Sequence, residues 1–518
     1  MLAKTYSATV DGITAIPVTI EVNVQPIQGQ GNGRMVIVGL PDSSVKESYS
    51  RIEAALTNSG IKLPNENVTI NLAPGDIRKE GTGFDLPIAL GILMANAIVT
   101  TSFSEHFMLV GELSLDGHLQ PIRGALPIAI KARELGYEGL IVPRENAHEA
   151  AVVNRLKVYG ADSILEINDF LSGKLDVLQP LHIDTRAEFL AHQNDFPLDF
   201  ADVKGQENVK RAFEVAAAGG HNLIMVGPPG AGKSMMARRL PSILPPLSLA
   251  ESLETTQIHS VAGKLKGGTG LITERPFQAP HHTVSQVALV GGGANPMPGE
   301  LSLAHNGVLF LDELPEFPRA CLEVLRQPLE DRKITVSRAK YSIDYPCNVM
   351  FVASMNPCPC GYYNHPTKPC QCTPGQIHKY LNKISGPLLD RIDIQIEITP
   401  LSFNDLSRTQ PGEPSAVIRE RVIRARQIQE ERYRVHPGIH CNAQMTPALM
   451  RQYATPAPQD MTMLREVINR LQLSARAYDR ILRLARTIAD LEGAPTIQTH
   501  HLAEAVGYRN LDRESWGE

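Results

Sequence analysis

The chain has 518 residues, of which 43% are hydrophobic and 20% are charged, and this length suits about three globular domains. The formal net charge of −5 excludes a uniformly basic body that coats nucleic acid, so any DNA contact must come from a local basic patch. The start of the chain lacks the features of a signal peptide. The most apolar stretch, 84–99, is too short and polar to span a bilayer, so it predicts a buried helix. We therefore expect a cytoplasmic protein without a membrane segment.

The first third of the chain alternates the hydrophobic patterns of strands and helices. Strand patterns occur at 18–24, Met35–Val38 and 68–71, and helical patterns occur at 44–59 and 124–135. These patterns predict a mixed α/β domain over residues 1–175. The stretch 176–200 is dotted with proline and aspartate, which predicts a linker.

A glycine- and proline-rich loop follows the apolar strand Leu223–Val226 and opens into a helix. Its eight residues are Gly227, Pro228, Pro229, Gly230, Ala231, Gly232, Lys233 and Ser234. Glycines let backbone N–H groups turn toward phosphate oxygens, and the helix N-terminus adds partial positive charge. We expect Lys233 to reach the β- and γ-phosphates of ATP and the Ser234 hydroxyl to bind Mg²⁺.

Two later strands end in residues suited to hydrolysis. Asp312 and Glu313 follow the apolar strand Val308–Leu311, so we expect Asp312 to hold Mg²⁺ through water and Glu313 to polarise the attacking water. Asn356 follows an apolar strand at 349–354, and its amide is placed to align that water. A simple turn residue is the alternative for Asn356.

Residues 331–345 alternate as a β-hairpin does, just before the strand that leads to Asn356. Four cationic side chains make this segment basic within an acidic protein: Arg332, Lys333, Arg338 and Lys340. A DNA contact and a solvated, charged hairpin are both open interpretations.

Four of the seven cysteines form two C-x-C doublets separated by nine residues: Cys358, Cys360, Cys370 and Cys372. Four thiolates in a tight loop complete a tetrahedral Zn²⁺ site, and His365 between the doublets is an alternative ligand. Structural zinc more often uses two residues between paired ligands, so free buried thiols and a redox pair remain alternatives.

The last part of the chain is helical. A break with several prolines and a glycine at 402–414 precedes helical patterns at 415–434, 463–471, Ala475–Leu491 and 498–506. We therefore predict an ATPase core over 201–400, in which strands and helices alternate, and an all-α lid over 401–518.

Four motifs resemble the magnesium-chelatase branch of AAA+ ATPases, and more closely its YifB/ComM-type members: GPPGAGKS at 227–234, VLFLDELPEF at 308–317, ASMNPCPCG at 353–361 and LLDRIDI at 388–394. The lid segment SARAYDRILRLARTIADLEG at 474–493 belongs to the same set. The resemblance covers nearly the whole chain and implies a central AAA+ P-loop α/β domain with a C-terminal helical lid. It also implies that residues 263–300 are a helix-2 insertion.

The same resemblance implies roles for two arginines. Arg391 in LLDRID resembles the finger that reaches the γ-phosphate bound by a neighbouring subunit, and Arg476 in SARAYDR resembles the sensor arginine of the lid. Other arginines lie nearby in the lid, so a surface position without a catalytic role is the alternative for both. A finger that acts on a neighbour implies a homo-oligomeric ring, and the resemblance suggests a hexamer.

The N-terminal domain resembles the proteolytic domain of Lon-type proteases in the segments 79–87, 111–117 and 121–124. That protease needs a serine nucleophile and a lysine base. This sequence has Phe84 and Asp85 where the serine falls, and residues 125–127, Ala-Leu-Pro, where the lysine falls. We expect a degenerate Lon-protease-like α/β domain with a structural or DNA-contacting role.

The resemblance implies a ring-forming, ATP-driven DNA motor that promotes branch migration of recombination intermediates, as in natural transformation. In related ring helicases, the hairpin that corresponds to 331–345 points into the pore and grips the DNA backbone. A chelatase-like ATPase that remodels a partner protein for metal insertion is the alternative. The N-terminal domain argues against it, because magnesium-chelatase motor subunits lack such a domain, and the missing serine and lysine argue against an ATP-dependent protease.

Overall fold

The computed structural model describes residues 2–27, 34–99, 104–191, 196–293, 296–338, 341–400, 412–471 and 473–509. These residues form two compact units. The first unit holds the described residues of 2–191 together with Ser248–Thr273, and the second holds those of 196–247 and 274–509.

The strands of the described residues are β1 (Leu2–Asp11), β2 (Thr14–Pro26), β3 (Met35–Val38), β4 (Glu66–Ala73), β5 (Phe107–Leu109), β6 (Glu112–Leu113), β7 (Leu119–Gln120), β8 (Gly139–Pro143), β9 (Lys157–Ala161), β10 (Pro180–Leu181), β11 (Leu223–Val226), β12 (Phe277–Gln278), β13 (Gly291–Gly292), β14 (Met297–Pro298), β15 (Val308–Leu311), β16 (Lys333–Arg338), β17 (Tyr341–Pro346), β18 (Met350–Met355) and β19 (Ile394–Glu397).

The α-helices of the same residues are α1 (Ser43–Lys46), α2 (Ser48–Asn58), α3 (Asp85–Ala95), α4 (Ala125–Glu134), α5 (Arg144–Ala151), α6 (Ile164–Leu171), α7 (Thr185–Ala191), α8 (Glu207–Gly219), α9 (Lys233–Arg239), α10 (Leu249–Val261), α11 (Gln286–Val290), α12 (Glu300–Leu303), α13 (Arg319–Val324), α14 (Pro328–Asp331), α15 (Pro374–Leu381), α16 (Gly386–Leu389), α17 (Ser415–Tyr433), α18 (Pro447–Tyr453), α19 (Pro458–Leu471), α20 (Ala475–Leu491) and α21 (Thr499–Gly507).

The first unit is built on an eight-stranded sheet in the order β10-β9-β8-β5-β1-β2-β4-β3. β1 and β2 form an antiparallel pair in which Leu2 lies opposite Asn23 and Asp11 lies opposite Thr14. α3 packs against these two strands. It is apolar on nearly every side, so ten of its eleven residues are buried, as the apolar run at 84–99 predicts. The mixed α/β prediction for this part of the chain is confirmed.

The segment 176–200, predicted as a linker, differs in the structure because its first part belongs to the first unit. β10 pairs antiparallel with β9 at the edge of the sheet, and Leu178 and Phe189 are buried. α10 also belongs to this unit, and the backbone N–H of Gly124 donates to the carbonyl of Ser260 at its end. Two buried apolar residues among prolines and aspartates are too few to show as a periodic pattern.

The core of the second unit is a five-stranded parallel sheet in the order β12-β15-β18-β11-β19. Continuous apolar runs suit a sheet covered on both faces, and every residue of β11, β15 and β18 is buried. These three strands are neighbours, so the loops at their carboxyl ends meet at one edge. The three strands predicted from the sequence are confirmed, with the third shifted by one residue.

The lid consists of α17 to α21, and the four helical patterns predicted there are confirmed within a few residues. α20 begins at the predicted residue, where Ser474 caps the helix by accepting from the N–H of Ala477. The hairpin of β16 and β17 is also present, with Lys333 opposite Pro346 and Arg338 opposite Tyr341. None of the described helices combines the length and apolarity needed to cross a membrane.

Candidate active site

The loop between β11 and α9 surrounds the ammonium group of Lys233. Gly230 and Gly232 have φ angles of 77° and 88°, in the left-handed region that glycine adopts without strain. Lys233 is buried, and its Nζ donates to the carbonyls of Gly227 at 2.6 Å and Pro228 at 3.0 Å. Burial lowers the pKa of Lys233, and the nearby carboxylates of Asp312 and Glu313 oppose that shift. The loop therefore presents one cation where phosphate oxygens bind.

The two predicted Mg²⁺ ligands lie in contact. The Ser234 hydroxyl donates to Oδ2 of Asp312 at 2.5 Å, and Oδ1 of Asp312 accepts from the N–H of Glu313 at 3.0 Å. Ser354, on the neighbouring strand β18, donates its hydroxyl to the same Oδ1. A hydroxyl and a carboxylate are the hard oxygen ligands that Mg²⁺ prefers, so the pair fits the ion.

Glu313 lies beside this pair and faces solvent. Its side chain is 55% exposed, its φ angle of 55° lies in the left-handed region, and Oε2 is 3.7 Å from Nδ1 of His282. His282 stacks on His281 and meets Phe317 edge to face. This histidine pair was not predicted from the sequence, although two adjacent histidines in the insertion are a visible signal.

Asn356 completes the group, because its Oδ1 accepts from Nζ of Lys233 at 3.0 Å. The sheet order brings its strand between the phosphate-loop strand and the strand of Asp312. The structure therefore brings together the predicted residues Lys233, Ser234, Asp312, Glu313 and Asn356. An ammonium, a metal-binding pair, a carboxylate base and an amide are the groups that phosphoryl transfer to water requires.

A cavity of about 160 Å³ adjoins the phosphate loop. It was not predicted from the sequence. Apolar side chains dominate its lining, which is formed by Asp202, Val203, Lys204, Gln206, Val209, Ala231, Met235, Met236 and Ile398. Gln206 donates from Nε2 to the carbonyl of Thr399 at 2.7 Å and so joins two sides of the cavity. A mostly apolar cleft with a few polar groups beside a phosphate site suits a purine base.

The two predicted arginines lie near the end of α16. Arg391 donates to the carbonyls of Arg326 and Pro387, each at 2.7 Å, and pairs with Glu330. Arg476 is 71% exposed and donates to Oδ2 of Asp390 at 2.7 Å. Each arginine is thus held in place by groups of the same surface region.

The next residue but one, Asp393, links this region to the lid. It is buried, pairs with Arg480 of α20, and lies 3.3 Å from Nδ1 of His221. Nε2 of His221 lies 2.8 Å from the hydroxyl of Thr487, also on α20. Burial lowers the pKa of His221, although the Asp393 carboxylate opposes the shift. These contacts fix α20 to the segment that carries Arg391.

The cationic side chains of the basic hairpin differ in their exposure to solvent. Arg332 adopts a φ angle of 55° at the end of α14 and is half-buried, and burial lowers its pKa although Cys441 and Asp393 oppose the shift. Lys333 is exposed and pairs with Asp344 on the opposite strand at 3.0 Å. Lys340 and the side chain of Arg338 lie outside the described part of the hairpin.

The four cysteine sulfurs lie together, with all Sγ atoms within 4.8 Å of one another. The Cys358 sulfur is 3.3 Å from that of Cys360 and 3.7 Å from that of Cys370, and none forms a disulfide. Burial raises the pKa of Cys360, but backbone N–H groups and the neighbouring thiols outweigh it and lower the pKa to about 6. His365 does not belong to this group, and its Nδ1 accepts from the N–H of Lys368 at 3.0 Å.

In the first unit, a buried ion pair stands where the Lon-like segment would need a nucleophile. Arg51 donates from Nε and Nη2 to the carboxylate of Asp85 at 2.8 and 2.9 Å, and Asp85 also accepts from the N–H of Leu113 at 3.3 Å. Burial raises the pKa of Asp85, and the Arg51 guanidinium opposes that shift. Phe84 beside it is buried. These residues stabilise the fold and offer no nucleophile.

Comparison with known proteins covers both units. Residues 199–406 match the family profile described as magnesium chelatase, subunit ChlI, residues 20–146 match subunit ChlI of Mg-chelatase, and residues 412–509 match the ChlI C-terminal profile. The N-terminal resemblance is supported by Lon protease 2 of Bacillus subtilis, which is 32% identical over 160 residues, 28% of each chain.

Two relatives match along almost the whole length. Competence protein ComM of Haemophilus influenzae is 43% identical over 516 residues, which cover 99% of this chain and 98% of the relative. The uncharacterised protein YifB of Salmonella typhimurium is 43% identical over 515 residues, with the same coverage. Together with the assembled nucleotide site, they show that the chain belongs to the YifB/ComM-type, magnesium-chelatase-like family of AAA+ ATPases, which use ATP and Mg²⁺.

Proposed function

We propose that this ATPase is a ring-forming DNA motor that drives branch migration of recombination intermediates, as during natural transformation. The observation that carries the DNA part is the similarity along 99% of the chain to a protein named for competence, the state in which bacteria take up DNA. ATP and chromosomal DNA share the cytoplasm, where we place this activity.

In the ATPase cycle, water attacks the γ-phosphorus while the bond to the ADP oxygen breaks, giving ADP and phosphate. Lys233 would bind the β- and γ-phosphate oxygens, and Ser234 and Asp312 would hold Mg²⁺, which would neutralise charge on those oxygens. Glu313 is exposed at the site and accepts hydrogen bonds from the attacking water, while Asn356 orients it.

We propose that Arg391 acts on a neighbouring subunit as a finger and that Arg476 is the sensor arginine of the lid. The side chains of Arg391 and Arg476 are anchored around Asp390 and Glu330, and the Arg476 guanidinium is largely exposed. For Arg391, the proposed partner is the triphosphate bound by a second copy of the chain. A head-to-tail contact of this kind closes into a ring, for which we propose six subunits.

DNA contact requires a concentrated basic element, because the chain carries a net charge of −5. We assign this contact to the hairpin of β16 and β17, through Lys333, Arg338 and Lys340. Arg332 is half-buried, so we assign it no DNA contact. Each phosphate contact releases counterions, so affinity falls with salt, and a ring repeats the contact in every subunit.

The test replaces Arg338 and Lys340 together with alanine and measures binding to forked DNA over a range of salt concentrations. We expect weaker binding, a flatter dependence on salt and loss of DNA-stimulated ATP hydrolysis. The matched control removes two exposed arginines of the helix that opens the lid, Arg424 and Arg434, and keeps wild-type binding. Equal binding by the hairpin variant and the wild type would remove the hairpin from the proposal.

The cysteine group supports a second metal ion, one structural Zn²⁺ per chain. A tetrahedral Zn²⁺ with Zn–S bonds of about 2.3 Å places its sulfurs about 3.8 Å apart. The closest observed separations are 3.3, 3.6 and 3.7 Å, and backbone N–H groups donate to the sulfurs of Cys358, Cys370 and Cys372. Elemental analysis of chain purified without chelator should find one zinc, and less than about a tenth of an equivalent would contradict the assignment.

A further inference from the structure

The cysteines lie in a loop of residues 357–373, here called the metal loop, which contains no helix or strand. The loop starts directly after Asn356, and Cys358 is fully buried in the core that also contains Ala353 and Met355 of β18. The loop is therefore anchored at the catalytic edge of the sheet, and its other end leads into α15. Without regular structure, a loop of this length depends on cross-links for a fixed shape.

The metal loop rests on the phosphate loop through Gly361. A Cβ atom at Gly361 would lie 2.5 Å from Cδ and 2.9 Å from Cγ of Pro229, which is closer than such atoms approach. Gly361 also has a φ angle of 83°, and its N–H donates to the carbonyl of Cys358 at 2.9 Å. Only glycine combines this conformation with this close approach. The backbone around the first cysteine doublet is thus seated on the loop that binds phosphate.

A second contact joins the same two loops. Asn356 lies two residues before Cys358 and accepts from Nζ of Lys233 at 3.0 Å. The Cys358 sulfur accepts from the N–H of Tyr363, two residues beyond Gly361. The cysteine group therefore fixes the backbone between two contacts to the phosphate loop, one at Lys233 and one at Pro229.

We infer that Zn²⁺ bound by the four cysteines stabilises the nucleotide site, so that the zinc occupancy of the chain sets its affinity for ATP. The inference rests on the proposed zinc site and adds a consequence for nucleotide binding. With zinc bound, the metal loop holds Gly361 against Pro229 and Asn356 against Lys233. Without zinc, four thiols no longer cross-link the loop, and the phosphate loop loses both supports.

The test measures two quantities, zinc per chain and the dissociation constant of a fluorescent ATP analogue. Zinc is first stripped from the wild-type chain with a chelator and then restored, which avoids any variant that fails to fold. Loss of a support worth about 1.4 kcal/mol weakens binding about tenfold, and added Zn²⁺ should recover the original affinity.

Three variants separate the metal from the contact. Cys370→Ser with Cys372→Ser should lose zinc and bind ATP weakly, whereas Gly361→Ala should keep zinc and still bind weakly, because its Cβ collides with Pro229. Gly375→Ala is the matched control, since a Cβ there meets nothing within 4 Å, and it should keep both properties.

Two results overturn the inference in different ways. If the stripped chain or the double cysteine variant binds ATP as tightly as the wild type does, zinc is present but does not act on the nucleotide site. If the wild-type chain holds no zinc, the proposed metal site itself is wrong, whatever the Gly361 variant does. In that second case, weak ATP binding by Gly361→Ala would show that the contact between Gly361 and Pro229 supports the nucleotide site without zinc.

Discussion

Lys233 and Glu313 act at different steps of the ATPase cycle, and their surroundings separate the two roles. Lys233 is buried within the phosphate loop, whereas Glu313 is exposed beside the metal-binding pair. Lys233→Ala should therefore abolish ATP binding, and Glu313→Gln should bind ATP and block turnover. Equilibrium binding and phosphate release measure the two effects, and normal turnover by Glu313→Gln would reject its role as the residue that polarises water.

We propose that Ser354 is a positioning residue for magnesium. Its hydroxyl donates to the Asp312 oxygen that does not face Ser234. Ser354→Ala should raise the Mg²⁺ concentration needed for half-maximal hydrolysis by about fivefold, the equivalent of one hydrogen bond of about 1 kcal/mol. Ser302→Ala is the control, because the buried Ser302 hydroxyl has no hydrogen-bond partner among the described residues. An unchanged Mg²⁺ requirement in Ser354→Ala would contradict this role.

The phosphate-loop residues, Asp312, Glu313 and Asn356 were predictable because each belongs to a local motif whose chemistry depends on spacing along the chain. Ser354 and His282 were not, because they meet Asp312 and Glu313 only through the order of strands in the sheet. The cavity beside the phosphate loop was missed for the same reason. Its lining comes from three separate segments, and only the segment of Ala231 carries a motif.

At the scale of elements, we expect the free energy of unfolding to depend on pH through His221, which is buried between Asp393 and α20. Burial lowers the pKa of His221, so the folded chain keeps this histidine neutral where the unfolded chain takes up a proton. Its contribution is fully present above the ordinary histidine pKa of about 6.5 and is lost as pH falls below it. Denaturant unfolding at pH 7.5 and pH 5.5 measures this slope.

The variant His221→Gln isolates that contribution from the other fifteen histidines. Glutamine keeps a hydrogen-bonding side chain near Asp393 and Thr487 but does not titrate. The variant should lose less free energy of unfolding between the two pH values than the wild type loses. An identical loss would show that His221 does not control the slope.

The elements themselves were largely predictable. Apolar runs predicted β11, β15 and α3, and helical periodicity predicted α20 with its first and last residues. The short elements in 176–200 were not predictable. β10 has only two residues, and it is a strand only because it pairs with β9. The membership of α10 in the first unit depends on contacts such as that of Ser260 with Gly124, which no local pattern indicates.

At the scale of the whole molecule, the ring that we propose would place Arg391 of one subunit at the nucleotide of the next. Lys233→Ala and Arg391→Ala chains should each be inactive alone. Mixed in equal amounts, they should recover activity at roughly a quarter of the subunit boundaries, where an intact Lys233 meets an intact Arg391. Mixing Lys233→Ala with Glu313→Gln is the control, because both changes damage the same half of the site and no boundary recovers. Assembly of the mixed rings without any recovery would contradict action across the boundary.

The claim that the ATPase moves DNA is tested most directly on a four-way DNA junction. The wild-type chain should convert the junction into separated duplexes when ATP and Mg²⁺ are present, and DNA should speed its ATP hydrolysis. It should produce nothing with a non-hydrolysable analogue or with Glu313→Gln, because movement requires turnover. If the wild-type chain hydrolyses ATP but neither moves the branch point nor responds to DNA, DNA is not the substrate of the motor. The motor then acts on a protein partner, as the chelatase-like alternative holds.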